Sequence, residues 1–373
     1  MIRNFISPSL RFWLRETAAW LRENLSRARL WQWEITKLQQ RDDRPYNILY
    51  IGRKTQRESA KALLGVDDER CSSQALDLSS RTVIISEMPI PGALRVPQAM
   101  HFVIPLERPM EEITAGFESE LRRRLRKCWG RYRLQQVVDD IEIARIDRDM
   151  LKPYAKARHG MGASQISSDE LLRMAQAGRV ELVLLGDQVV ACQTGCASTR
   201  AGKRYWVSIR FGYPEAIFSD PKRLGETNAI NFYLALEWAL QNDFDYYHMG
   251  SCLARPEDDL LQWKKHWGGA LYTTGNHGYF YIRLPKAGAA QFLWDAPFFA
   301  VEQNNTTLHL GLPDGTSDEE AAIRYRKMSF GGLFKVYLHC ARPPGERLLE
   351  SLMGLYTHQK SPPIVECITA HHL

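Results

Sequence analysis

No apolar run in the 373 residues approaches the roughly 20 needed to cross a bilayer as a helix, which excludes an integral helical membrane protein. Residues 1–7 lack the apolar core and cleavage site of a secretory signal. The seven cysteines are odd in number and show no C-x-x-C spacing, so neither a disulfide framework nor a zinc ribbon is indicated. Cys192 and Cys196 share a strand face but have no further ligands in sight and read as small buried hydrophobes. These absences fit a cytoplasmic protein. G-x-S-x-G, H-E-x-x-H and the P-loop are also missing, which removes the usual support for hydrolase, zinc protease and nucleotide-triphosphatase readings. Neither repeats nor low-complexity segments occur.

What is present is a composition of 45% hydrophobic and 25% charged residues, that of a globular chain, with a formal net charge of +6. The length allows two domains of ordinary size. The most informative stretch runs from Lys203 to Gly269. It reads as a strand over 204–212, a polar loop over 213–228, a helix over 229–240, a strand over 243–249 and a helix over 256–267 stopped by Gly268 and Gly269. The 229–240 helix is apolar nearly all round and therefore predicted to be buried. Upstream, residues 180–185 and 188–195 alternate as two strands joined at Gly186 and Asp187, a type I′ hairpin signal. Lys222, Arg223, Leu224, Gly225, Glu226, Thr227 and Asn228 lead directly into the helix. A loop in that position aims backbone N–H groups at one point backed by the helix dipole, which predicts a phosphate or pyrophosphate site.

Strand, basic glycine-containing loop, helix, strand resembles the GNAT acyltransferase fold, whose donor loop carries an R-x-x-G-x-G/A pattern. Here only Gly225 of that glycine pair is kept. The chain more closely resembles the FemAB-like branch. Three features carry that likeness over roughly residues 100–285: the helix at 231–239, the strand end at 247–251, and the run from Leu261 to Gly268, where the family has an aromatic-Lys-x-x-aromatic-Gly sequence. The resemblance implies an α/β (α+β) fold: a GNAT-like mixed, mainly antiparallel sheet flanked by helices, with a decayed first GNAT-like lobe; independently of it, Ser7 and Pro8, an N-cap followed by proline, predict a long N-terminal helix. It implies an acyl- or aminoacyltransferase with acyl-CoA or aminoacyl-tRNA as donor substrate, no tightly bound cofactor and no metal. The acceptor would be an amine or a hydroxyl.

Such chemistry requires a positioned nucleophile, a destination for its proton and donors for the developing oxyanion. Lys264, on the helix after Ser251, matches the family lysine and is the candidate for stabilising negative charge. His248, at the carboxyl end of its strand, is the candidate proton acceptor. Arg210, Tyr205 and Ser251 are candidate substrate contacts, Arg210 by its bidentate fork. Each also has a bland reading: a surface lysine, a structural ion pair, a satisfied core histidine. The alternative at the level of the whole chain is a catalytically inactive GNAT-like scaffold that binds a phosphorylated ligand, RNA or a membrane surface.

Around this centre, residues 1–44 carry net charge +4 and a helical stripe of Leu10, Leu14, Leu21, Leu25 and Ala28 widened by tryptophans. Residues 8–40 thus read as a basic amphipathic extension for self-association or for lying at the inner face of a membrane. Residues 45–129 read as a first, partial α/β lobe, 130–285 as the transferase domain and 286–373 as an extension without motifs. Within the first lobe, Arg122, Arg123, Arg124, Arg126 and Lys127 end a helix, and Arg131 and Arg133 follow without an intervening acid. Trp129 and Tyr132 interleave with them, a pattern suited to RNA or another polyanion, or to a solvated helix terminus.

Overall fold

The computed structural model describes residues 17–18, 21, 25–38, 44–66, 80–159, 167–200, 202–272, 278–359 and 361–369. They form two compact units. One comprises Val103–Gly250 and His266–Gly269; the other comprises the described residues of Ala18–Phe102, Ser251–Lys265 and Ala270–Leu373.

In the first unit the strands Tyr132–Val137, Arg179–Leu185, Gln188–Arg200 and Lys203–Gly212 pair antiparallel in chain order. Gly186, at φ +60°, makes the two-residue turn possible between Leu185 and Gln188, as the sequence predicts. Tyr246–Cys252 then adds beside Lys203–Gly212 in parallel, and Met100–Pro105 lies beyond it. Neighbouring residues of these strands serve opposite faces, as the strand period requires. Leu182, Leu184 and Cys192 pack with Ile143, Ile146 and Leu171. Val183 and Ala191 pack with Ile217, Leu224 and Leu234 on the other side. One face therefore carries the helices at 140–177 and the other the long helix Pro221–Gln241.

That long helix is where the sequence reading needs its main correction. Residues 222–228, expected as a loop, are its first two turns. Asp220 is the N-cap, its carboxylate accepting from the backbone N–H of Lys222 and Arg223, and Pro221 sits at the first helical position. Cap and proline together fix a helix start, and one glycine two turns in costs only about 1 kcal/mol, too little to break it. The expected burial of the 229–240 segment holds: Ala229, Ile230, Phe232, Tyr233, Ala235, Leu236 and Ala239 are all buried.

Trp267 is 1% exposed and packs on Phe232 and Phe117, with ring centroids 4.0 and 5.1 Å away. Gly268 follows at φ +64°, where a Cβ would stand 2.5 Å from the Gly116 carbonyl oxygen. The aromatic-glycine end of the 261–268 run is thus explained by packing: an indole fills the core and a glycine lets two backbones touch.

The second unit holds two mixed sheets. Trp33–Leu38, Asn47–Arg53, Thr82–Ser86, Tyr279–Arg283 and Leu94–Pro97 form one, in that order. Tyr279–Arg283, which falls inside the expected transferase domain of residues 130–285, pairs here with Thr82–Ser86 and Leu94–Pro97 instead. Of the amphipathic helix expected over 8–40, residues 8–16, 19–20, 22–24 and 39–40 lie outside the described residues; near its end Trp33–Leu38 is a strand, because Ile35 and its neighbours pair with Asn47–Arg53. Phe298–Glu302, Asn305–Leu312, Lys335–Cys340 and Ile364–Thr369 form the other sheet, with the helices Asp318–Lys327 and Glu346–Gly354 as its parallel crossovers. The motif-free C-terminal stretch is therefore an ordered α/β layer. No helix among the described residues is long and apolar enough to cross a membrane.

Candidate functional site

Two stretches that lie a hundred residues apart in sequence meet in the first unit. The helix Ser119–Cys128 packs against Pro221–Gln241, and Arg124 Nη1 donates to the Gly225 carbonyl at 3.2 Å. Between them opens a cleft of about 260 Å³ walled by Arg124, Lys127, Arg131 and Arg223, with Glu226, Thr227 and Tyr132 beside them. It lies past the carboxyl end of the Lys203–Gly212 strand, at the start of the helix that follows, where open α/β sheets place their ligands. Four cations face one carboxylate, so the cleft favours an anion with several oxygens, which guanidinium forks grip in pairs.

The manner of grip differs from the sequence expectation. The N–H groups of Lys222 and Arg223 are already taken by Asp220, and that of Leu224 by the Asp220 carbonyl. Any anion here would be held by side chains. Of the expected donor-loop residues, Arg223, Glu226 and Thr227 line the cleft. Lys222 is exposed outside it, Leu224 packs on the apolar floor, Gly225 takes the Arg124 hydrogen bond and Asn228 accepts from the Tyr213 hydroxyl at 2.7 Å. Of the basic cluster, Arg124 and Lys127 belong to the cleft, while Arg123 is paired with Glu120 at 2.8 Å on the exposed face. Arg122 and Arg126 are exposed and not part of the lining. Burial, reinforced by Glu226, pushes the Cys128 thiol above its ordinary range, so Cys128 is not a thiolate nucleophile at neutral pH.

The parallel pair Lys203–Gly212 and Tyr246–Cys252 has two irregularities. Its register runs through Tyr246↔Tyr205, Tyr247↔Trp206 and His248↔Val207 and stops there, although the two strands continue to Cys252 and Gly212. On the other edge of the Lys203–Gly212 strand, the register jumps from Thr194↔Arg210 to Gly195↔Ser208, which makes Ile209 the extra residue of a bulge. The bulge lies three residues, about 10 Å, from the strand's carboxyl end. A narrow polar crevice lined by Glu181, Gln193, Thr194, Gly195, Ser208 and Tyr247 adjoins it. Glu181 is held by Arg179 at 2.5 Å and Gln193 at 2.8 Å, yet burial outweighs both partners and raises its carboxyl above the usual range. The sequence reading missed this row. Its one signal was a polar residue at each of two facing strand positions, Glu181↔Gln193.

Several other expected site residues have internal partners. His248 is 4% exposed, and its Nδ1 accepts the Gly250 N–H at 3.1 Å, so that nitrogen is engaged in shaping the strand end. Tyr205 is buried and stacked on Tyr246, with ring centroids 4.9 Å apart. Arg210 is half-buried opposite Thr194. In the second unit, Lys264 is 1% exposed and donates to the Ser251 carbonyl at 2.9 Å; burial draws its ammonium below the ordinary lysine range. Ser251 itself is exposed. No group of three or more metal-ligating side chains converges among the described residues.

Neither a family model nor a curated protein matches the chain. Solved structures do. FemX is 13% identical, with a TM-score of 0.39 over 68% of this chain and 88% of its own. The C-terminal domain of a lysylphosphatidylglycerol synthetase from Agrobacterium fabrum is 12% identical, with a TM-score of 0.34 over 71% and 85%. A tandem GNAT protein from the clavulanic acid biosynthesis pathway is 11% identical, with a TM-score of 0.29 over 65% and 74%.

Proposed function

We propose that the chain is an acyl- or aminoacyltransferase that takes an activated acyl group from a phosphate-bearing donor, acyl-CoA or aminoacyl-tRNA, and passes it to an amine or hydroxyl. The observation that carries this reading is the cleft formed by Arg124, Lys127, Arg131 and Arg223 at the start of the Pro221–Gln241 helix. Its position supports the resemblance to the acyltransferase fold, and its four side-chain cations supply the anion grip that the lost glycine would otherwise provide.

In this mechanism the cleft residues hold the donor's phosphates. The bulge at Ile209 interrupts the regular pairing, and its backbone N–H is the group we assign to the oxyanion that develops as the acyl carbonyl is attacked. Loss of one such donor costs ~10²–10³ in turnover in better-known cases. The acceptor forms its bond to the acyl carbon as the bond to the CoA sulfur or the tRNA ribose oxygen breaks, and the proton lost by the acceptor reaches the departing sulfur or oxygen through water, since His248 Nδ1 is engaged by Gly250. His248 and Lys264 keep their strand ends in shape. This last point also favours the second reading, a binding scaffold without turnover, because both side chains singled out for chemistry are tied to main-chain atoms.

The test is donor binding and single-turnover transfer with acyl-CoA and with aminoacyl-tRNA, in the native chain and in an Arg131→Ala, Arg223→Ala double variant. We expect one donor to bind, and the variant to weaken it while reducing the salt slope by about 1 per arginine removed. Unchanged affinity and slope remove the cleft from the donor site. Binding without transfer to any amine or hydroxyl acceptor leaves the scaffold.

A further inference from the structure

Next to the basic cleft, and sharing Cys128 and Tyr132 with it, is a second hollow of about 140 Å³. Its walls are Trp129, Tyr132, Tyr233, Ile230 and Leu234, and Glu237 stands at its side. Gly130, at φ +70°, turns the chain directly after Trp129. The indole is left 58% exposed, tilted against the Tyr233 ring with centroids 5.3 Å apart. Tyr233 lies one helical turn before Glu237 and donates its hydroxyl to Glu237 Oε1 at 3.1 Å. Burial, with Glu237 adding to it, holds that phenol above its ordinary range, so the hydroxyl keeps its proton and remains a donor. No lysine or arginine pairs with Glu237 among the described residues, although four cations surround the neighbouring cleft.

Aromatic faces beside an unneutralised carboxylate are the recognition chemistry of an organic ammonium: the ring quadrupoles and the carboxylate attract the cation, and the rings tolerate its methyl or methylene surface. A plain aliphatic group would bury beside Glu237 at a desolvation cost, and a second anion would be repelled. We propose that this hollow binds an organic ammonium, carried on the same small molecule as a phosphate that the adjoining cleft holds. The ligand class is thus a zwitterion with an ammonium and a phosphate within a few bonds of each other. Opposite charges on adjoining subsites also explain why Glu237 is left unpaired beside so basic a surface. The ammonium half does not depend on the chain being a transferase; the phosphate half rests on the reading of the cleft as an anion site made above, and makes the zwitterion a competitor of the donor for that cleft.

The experiment is isothermal calorimetry, with saturation-transfer NMR for weak binding, on the full chain with four probes: choline, its uncharged isostere 3,3-dimethylbutanol, inorganic phosphate and phosphocholine. We expect choline to bind saturably and the isostere at least ten-fold more weakly. Phosphocholine should bind at least ten-fold more tightly than either choline or phosphate. Glu237→Gln, which still accepts from Tyr233, should weaken choline and phosphocholine at least five-fold and leave phosphate unchanged. Arg131→Ala should weaken phosphate and phosphocholine and spare choline. Isostere binding equal to choline, or no effect of Glu237→Gln, overturns the ammonium site. Choline binding with no phosphate affinity overturns the paired-ligand claim and the cleft reading together, while leaving the ammonium site in place.

Discussion

Replacement of Lys265 by methionine should flatten the alkaline limb of the stability curve. The Lys265 side chain ends the helix Asp259–Lys265 and places Nζ 3.0 Å from the Lys327 carbonyl and 3.3 Å from Ser329 Oγ, over the end of the helix Asp318–Lys327. Those contacts favour the charged form, but burial outweighs them and lowers the ammonium's pKa from 10.5 to about 8. Between those two values the unfolded chain still binds a proton that the folded chain has released. The unfolded state therefore holds more protons, and folding stability rises with pH across the window. The stability gained is fully present above 10.5 and is lost as the pH falls through about 8. At about 1.36 kcal/mol per pH unit the ceiling is roughly 3.4 kcal/mol, and partial solvent access to the side chain brings the expectation to about 1–2 kcal/mol. Methionine keeps the length of the side chain and cannot titrate. Urea unfolding followed by circular dichroism at pH 7.5, 8.5, 9.5 and 10.5 gives both curves, and other titrating groups cancel in their difference. The native chain should gain about 1–2 kcal/mol relative to the variant from the lowest to the highest pH. Parallel curves across that range would refute the reasoning, because they would mean that the ammonium keeps its solution affinity for protons in the folded state.

Two further substitutions test the first unit. Trp267→Ala should cost about 3–5 kcal/mol, read as a fall in the urea midpoint, since it empties a fully buried indole site between Phe117 and Phe232; a loss under 1 kcal/mol would mean that Trp267 is not the core plug described. Asp220→Ala should cost about 1 kcal/mol for the lost cap while raising inorganic phosphate affinity by calorimetry, because it frees two N–H donors beside the cleft; unchanged phosphate affinity would separate the helix start from the anion site.

The parts of this fold that were legible in sequence are those where one physical rule acts alone. An apolar helix had to be buried, and Ala229, Ile230, Phe232, Tyr233, Ala235, Leu236 and Ala239 are. The Gly186 turn had to join two strands, and it does. Residues 222–228 were misread because two rules competed there. Gly225 and the pattern of a donor loop pointed to irregular backbone, whereas Asp220 and Pro221 specify a helix start, and local capping prevailed. Tyr279–Arg283 has the alternation of a strand whichever sheet it joins, so its sequence carries no information about its partner. The cleft was half legible: Arg124, Lys127 and Arg223 each stood out as charge, but only the packing of one helix on another reveals that they face one space. The row Glu181, Gln193 and Tyr247 left only the facing pair Glu181 and Gln193 as a signal, because a polar residue inside a strand looks the same whether it meets solvent or another polar group.

The division of the chain has a consequence for how it is made. The first unit runs without interruption from Val103 to Gly250, then must wait for four more residues, His266–Gly269, that come only after an excursion into the other unit. Trp267 is among those four. On a ribosome, which adds about 5–20 residues per second, the sheet and its long helix emerge with the space between Phe117 and Phe232 still unfilled. A nascent chain ending anywhere from Gly250 to His266 thus exposes an apolar socket. During that interval the socket is a ready target for chaperones, and gene fragments that stop at the visible end of the last strand would inherit the same vacancy permanently.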